Sequence, residues 1–315
     1  MRKIRRAALS LCALIIPAFA QVHFTADDAD PPRRILVEIN GAPFTTFFAG
    51  ADANKPYFAP LRSASGKVVT RRYPMEQVEG ETRDHLHHRG MWFGQNDVNG
   101  VKFWENDPSY KRGEIGRIVV RKAEFEDGAK AGVLIASFNW LDPQGAILLV
   151  EDRTTKFYAS ADNRMIDVDL LLTAKIKIVF GDDKDAGFAI RMADALNEKH
   201  TGQIIIAEGF TTMQNVWGQP SAWADYSGEL EGEKLGVAIF DHPGNPGYPN
   251  RWHARDYGLF AINPFGAHTF DPKLPIKTTT LERGRTLRYR WRVVIHQGDA
   301  KSAKIAELYR EFAGR

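Results

Sequence analysis

The sequence predicts an all-β protein, a large antiparallel β-sandwich with one C-terminal helix. Three observations carry this. Strand-like runs follow one another along most of the chain, they do not alternate with helical periodicity, and the one clear amphipathic helical stretch comes last. In order, the runs are "ILVEI" (35–39), "EIGRIVVRKAEF" (114–125), "GVLIASFNWL" (132–141), "AILLVEDRTTKFYAS" (146–160), "RMIDVDLLLTAKIKIVF" (164–180), "GFAIRMADAL" (187–196), "GQIIIAEG" (202–209), "LGVAIFDHP" (235–243) and "TLRYRWRVVIHQG" (286–298). Most are rich in β-branched and aromatic residues, and Gly, Asp and Pro bound them. Within 164–180, Met165, Asp167 and Asp169 fall on one face and Ile166, Val168 and Leu170 on the other, the pattern of a half-solvated antiparallel strand. In "DAKSAKIAELYREFAG" (299–314), Ile305, Leu308, Tyr309 and Phe312 share one helical face, with Asp299 as the expected N-cap.

At 315 residues, 43% hydrophobic and 26% charged, the chain is long enough for a full core. Residues 1–20 read as a secretory signal. Arg2, Lys3, Arg5 and Arg6 form a basic start, Ala7 to Ile16 a short apolar run, and Ala18-Phe19-Ala20 a small-x-small cleavage site. The run is too short to span a bilayer. The expectation is therefore a periplasmic or secreted protein, with residues 21–315 forming a single β-sandwich domain. The net charge of +3 falls to about −1 without those four cations, which disfavours a nucleic-acid partner. The single cysteine, Cys12, leaves with the signal, so thiol catalysis, thiolate ligation and disulfides are not expected.

Polar residues concentrate in two segments. "DHLHHRGMWFGQNDVNGVKFW" (84–104) holds three of the nine histidines within four positions. If 84–88 is extended, His85 and His87 share one face, and Asp84, Leu86 and His88 the other. Such an arrangement suits either two imidazoles on one metal ion or an acid–base group beside a carboxylate that sets its tautomer. Arg89, Trp92, Gln95, Asn96, Asp97, Asn99 and Trp104 follow. Side-chain amides hydrogen-bond hydroxyls in both directions, and indole faces stack on pyranose rings. The structural alternative is that the aromatics are core and the histidines cap turns. The second segment, "FDHPGNPGYPNRWHARDYG" (240–258), reads as a loop that carries Arg251, His253, Arg255 and Asp256, with His253 and Asp256 a possible imidazole–carboxylate pair and Arg251 or Arg255 a candidate for a carboxylate or oxyanion. A third, weaker segment (54–74) brings Tyr57, Arg62, Arg71 and Arg72. There is no G-x-G-x-x-G, Walker loop, H-E-x-x-H or G-x-S-x-G motif.

With "YFAPLRSASGKVVTRRYP" and the closing "LERGRTLRYRWRVVIHQG", these segments make an ordered set of four motifs. In that set the chain resembles a secreted bacterial family often labelled "methane oxygenase PmoA". The label does not suit the chain, whose segment after residue 20 has no apolar run near the roughly 20 residues of a membrane span. The resemblance implies a role in carbohydrate catabolism. The family's D-H-P-H-H-R wording is matched at Asp84, His85, His87, His88 and Arg89, with Leu86 in place of the proline. More distantly, the all-β pattern and the final strand entry are similar to the galactose-mutarotase supersandwich, whose members handle sugars in a cleft.

The function expected from this set is an extracytoplasmic carbohydrate-active enzyme, a hydrolase, lyase or epimerase working by His/Asp acid–base chemistry. Its candidate catalytic residues are Asp84, His85, His87, His88, His253 and Asp256. Arg89, Trp92, Asn96, Asn99, Trp104 and Arg251 are the candidate substrate contacts. Its expected partner is a carbohydrate, with no cofactor, no metal and no membrane span. Two alternatives stand beside it: a non-catalytic sugar-binding protein, and a metal-dependent enzyme ligated by His85, His87 and a distant group such as His253.

Overall fold

The computed structural model describes residues 21–111 and 113–314. The signal segment expected at residues 1–20 lies outside that range. Two eight-stranded antiparallel sheets dominate. The first runs, edge to edge, Val22–Ala26, Arg34–Ile39, Ala42–Phe48, Tyr57–Ala59, Met91–Gln95, Ala186–Arg191, Leu259–Asn263 and Arg251–Ala254. The second runs Gln203–Ile206, Trp223–Leu230, Glu233–Asp241, Thr286–Gln297, Arg164–Ala174, Ile147–Tyr158, Ala131–Leu141 and Arg117–Glu126. The expected antiparallel sandwich with one C-terminal helix is therefore the fold.

Alternation in the second sheet sends Ile166, Val168 and Leu170 to the core, as expected, and leaves Asp167 and Asp169 to pair with Arg292 and Arg288 of the neighbouring strand. Between the sheets, Phe93 and Phe188 of the first meet Trp291 of the second at ring-centroid distances of 5.7 and 5.1 Å, and Phe93 meets Trp140 at 5.9 Å. Truncating such a buried indole costs roughly 3–5 kcal/mol, so these contacts fix how the sheets stack.

Three expectations need correction. The run 164–180 breaks at the exposed Lys175-Ile176-Lys177, and Ile178–Phe180 leaves the sheet to pair with Thr279–Leu281. Residues 251–254, expected as loop, are an edge strand of the first sheet. The terminal helix begins at Ile305 rather than after Asp299. Asp299 instead caps a turn, accepting from the Ser302 backbone N–H at 2.9 Å, and Lys304 in the left-handed region (φ 55°) separates that turn from the helix. Ile305 and Phe312 are buried against Trp223, Phe240 and Val294 on the outer face of the second sheet, with Leu308 and Tyr309 packed partly there.

The first sheet is covered on both faces. Met91–Gln95 and Leu259–Asn263 are buried at every position. Their inward side chains meet the second sheet, and their outward ones lie beneath the loops that carry the polar segments.

Candidate active site

Strand register lays one row of side chains across the outer face of the first sheet: Tyr57, Trp92, Ala189, Ala261 and His253. His253 is placed there by simple alternation, since its neighbours Trp252 and Ala254 point into the core. The segment 84–90 packs over this row. Gly90 lets it approach: its φ is 53°, and a Cβ would lie 2.1 Å from the Phe58 carbonyl oxygen.

The segment is not extended. The His88 N–H donates to the His85 carbonyl at 2.9 Å, closing a turn, and His85 itself sits in the left-handed region at φ 43°. A non-glycine residue there is strained unless its surroundings hold it. The turn brings all three imidazoles together, with ring centroids 4.7 Å apart for His85–His88, 4.4 Å for His87–His88 and 5.7 Å for His85–His87. Tyr257, His85, His88 and Trp92 form a near-parallel column with successive spacings of 5.1, 4.7 and 5.1 Å.

Asp84 anchors the cluster. One carboxylate oxygen accepts from Arg71 and, at 2.8 Å, from Arg191; the other faces His85 Nδ1 at 3.1 Å. Burial pushes the Asp84 carboxyl up, but the His85 hydrogen bond and the two guanidiniums outweigh it and hold the group well below the usual carboxylate range. An ionised Asp84 only accepts, so the neutral form of His85 carries its proton on Nδ1 and its lone pair on Nε2.

The other three histidines are held neutral. Burial, with the charges of Lys55, Arg71 and Arg191 nearby, pushes His87 down to about 2. Burial, then His87 and Arg191, lowers His88 far below an ordinary imidazole. Burial and Lys184 lower His253 to about 3. Their partners set the tautomers of His88 and His253. Arg191 donates to His88 Nδ1 at 3.3 Å, leaving the proton on Nε2. His253 Nδ1 donates to the Lys184 carbonyl at 2.8 Å, leaving a lone pair on Nε2. His87 Nδ1 lies 3.0 Å from the Tyr110 hydroxyl. The cluster thus holds one carboxylate-backed imidazole and three fixed neutral ones. Each Nδ1 is engaged, and among the described residues no three histidine, cysteine, aspartate or glutamate side chains are gathered for a metal ion.

His85, His87, His88 and His253 line one cavity of about 370 Å³, together with Glu105, Lys184, Asp185, Arg255 and Tyr257. That lies within the roughly 300–1,000 Å³ of small-molecule sites. The two polar segments, more than 150 residues apart in sequence, therefore converge. Other expected residues stand elsewhere. Asp256 does not pair with His253; its nearest cation is Lys199 at 3.9 Å, and the carboxylate facing His253 Nδ1 is Asp185, at 3.7 Å. Arg251 donates to the Gly218 carbonyl at 2.6 Å and lines a different cavity, beside Pro220 and Asn250. Trp92 and Trp104 are fully buried, so neither offers a face for stacking. Asn96 bridges the Glu105 backbone N–H and Asp183, and Asn99 holds a turn against Lys177 and Val179. Arg89 reaches Asp107 at 3.1 Å and lies over the Tyr57 ring.

Several site residues are not among the expected ones. Arg71 was one of four residues in a weakly regarded segment, and nothing in the sequence separates it from its solvated neighbour Arg72. Arg191 sits in a strand, and Asp185 in an acidic turn that reads as ordinary surface. Tyr257 lies in a segment the sequence marks as polar, beside Arg255, which the sequence already offers as a candidate for a carboxylate or oxyanion.

The chain's fold is similar to that of several solved structures. One is an α-galactosidase from Lactobacillus brevis, with 11% identity and a TM-score of 0.44, over 89% of this chain and 39% of that one. Another is the GH36 α-galactosidase AgaA from Geobacillus stearothermophilus, with 10% identity and a TM-score of 0.45, over 89% and 40%. A galactose mutarotase-like protein from Lactobacillus casei shows 8% identity and a TM-score of 0.40, over 87% of this chain and 100% of that one. The chain spans about two fifths of the galactosidases, and likeness at this level carries no chemistry across. No curated protein matches the chain. Residues 34–310 match the model of a family of unknown function (DUF6807), and the chain belongs to that family.

Proposed function

We propose that the chain is an extracytoplasmic carbohydrate-active enzyme in which His85 moves a proton to or from a bound sugar. One observation carries the reading: the Asp84–His85 pair borders a cavity whose other lining groups are fixed hydrogen-bond donors and acceptors. Asp84 holds the His85 tautomer and stabilises the imidazolium that forms when Nε2 takes a proton. His88, as an Nε2 donor, and His253, as an Nε2 acceptor, suit hydroxyl groups and do not change charge near neutral pH. The two tryptophans of the first segment are buried and do not stack on the sugar; Tyr257 is the aromatic ring that lines this cavity.

This chemistry serves hydrolysis, elimination and epimerisation alike, and the substrate decides among them. The extracytoplasmic placement rests on the pattern of residues 1–20. The test is product analysis on a panel of oligosaccharides, comparing the protein with its His85→Asn variant. Turnover of at least one substrate, lost in the variant, is expected. Binding without turnover would mark a non-catalytic sugar-binding protein, and no response across the panel would overturn the reading.

A further inference from the structure

The charged groups around the cavity are paired, with one exception. Glu105 meets Lys102 at 3.0 Å, and Lys184 meets Asp185 at 2.6 Å. Arg255 lines the same cavity, and no carboxylate of the described residues pairs with it. Its Nε is buried without a hydrogen-bond partner, and its guanidinium rests near the Tyr257 ring at 5.8 Å. The surroundings do not supply the missing charge. Arg71 and Arg191 already share the single carboxylate of Asp84, and Asp256 leans to Lys199. A partly enclosed guanidinium without a counter-ion is costly unless something that binds there completes it.

We propose that the substrate is an anionic sugar whose carboxylate, sulfate or phosphate group is taken by Arg255. The planar guanidinium fork matches two oxygens of any of these groups, and His88 and His253 remain for the hydroxyls. The proposal rests on the carbohydrate reading and narrows it to a substrate class.

Isothermal titration calorimetry with a series matched at one carbon tests it: D-glucose, D-glucuronate, glucose 6-sulfate and glucose 6-phosphate, with D-galactose and D-galacturonate as a second pair. At least one anionic member should bind roughly 10- to 100-fold more tightly than its neutral parent, as a charge-assisted contact predicts. That preference should weaken with added salt and should collapse in Arg255→Met, while Arg255→Lys retains part of it. The anion that shows the largest preference identifies the source of the charge. Equal binding of neutral and anionic sugars, or a preference that survives Arg255→Met, overturns this proposal and leaves the carbohydrate reading standing. If no sugar binds in any arm, the carbohydrate reading itself fails. Should Arg255→Met not fold, the preference and salt dependence of the unaltered protein decide the matter.

Discussion

Asp84→Asn is the most informative single change, because one carboxylate holds two buried guanidiniums and one imidazole. Arg71 and Arg191 have fully enclosed side chains, whereas Asp84 is 39% exposed. Removing one partner of a fully buried ion pair costs roughly 3–5 kcal/mol. Solvent at Asp84 screens part of that, and asparagine keeps one oxygen as acceptor, so about 2 kcal/mol is expected. In a domain of this size that lowers the melting temperature by roughly 3 °C.

The pH dependence has a definite sign. The folded pKa of Asp84 is depressed, so its contribution is present above the unfolded value near 3.9 and is lost as pH falls through the folded one. The carboxylate's own contribution to the gap in stability between wild type and Asp84→Asn should therefore be complete above about pH 5 and be lost only as the pH falls below about 4. Turnover should fall by roughly 10²–10⁴, since the amide no longer fixes the His85 tautomer or balances its imidazolium. Differential scanning calorimetry across pH, beside a turnover assay, measures both. A variant that melts with the wild type at pH 7 and keeps full activity would show that neither the guanidiniums nor His85 depends on this carboxylate.

Other changes separate structural from chemical roles. His85→Asn should lower turnover by a similar 10²–10⁴ while leaving the melting temperature nearly unchanged, because asparagine tolerates the left-handed backbone at this position; an active variant would remove His85 from the chemistry. Gly90→Ala places a Cβ 2.1 Å from the Phe58 carbonyl oxygen, so a loss of 2 kcal/mol or more (roughly), read by urea denaturation, is expected, and a neutral result would mean the segment does not sit where it is described. In the buried His296–Asp225 pair (2.6 Å), burial lowers the imidazole pKa but the Asp225 charge and hydrogen bond more than offset it, so the folded value is raised. Its contribution is complete below the unfolded value near 6.5 and lost as pH rises through the folded one, so the stability gap to His296→Gln should narrow in alkali; a gap that widens would contradict the pairing.

The part of the second sheet between Arg117 and Ala174 was legible because its strands have one solvated face. In Arg164–Ala174 the period of two appears directly in the residues, and the same holds in Ala131–Leu141. In the centre of the first sheet Ala186–Arg191 was legible, but its two neighbours were not. Met91–Gln95 and Leu259–Asn263 are short and buried on both faces, so hydrophobicity does not alternate along them, and the glycines and amides beside them read as loop. The edge strand Arg251–Ala254 was hidden for the same reason: Arg251 and His253 point outward under cover, so polar side chains there did not mark solvent.

The site shows where a motif stops being informative. Histidines at 85, 87 and 88 invite the inference that all three exchange protons near neutral pH. Their charge states are instead set by groups far away in sequence. Arg71 and Arg191, with Lys55 beside His87, crowd the cluster with positive charge, which penalises a further proton on His87 and His88 and adds to the penalty of burial. His253 meets the same fate beside Lys184. Of the three motif histidines, His85 alone has a carboxylate at its Nδ1, and it has one because the turn at 85–88 rotates it toward Asp84 instead of setting it on the opposite face of a strand. The division of labour we propose, one proton carrier among hydrogen-bonding imidazoles, thus rests on two guanidiniums and a left-handed backbone angle. Neither is written in the motif.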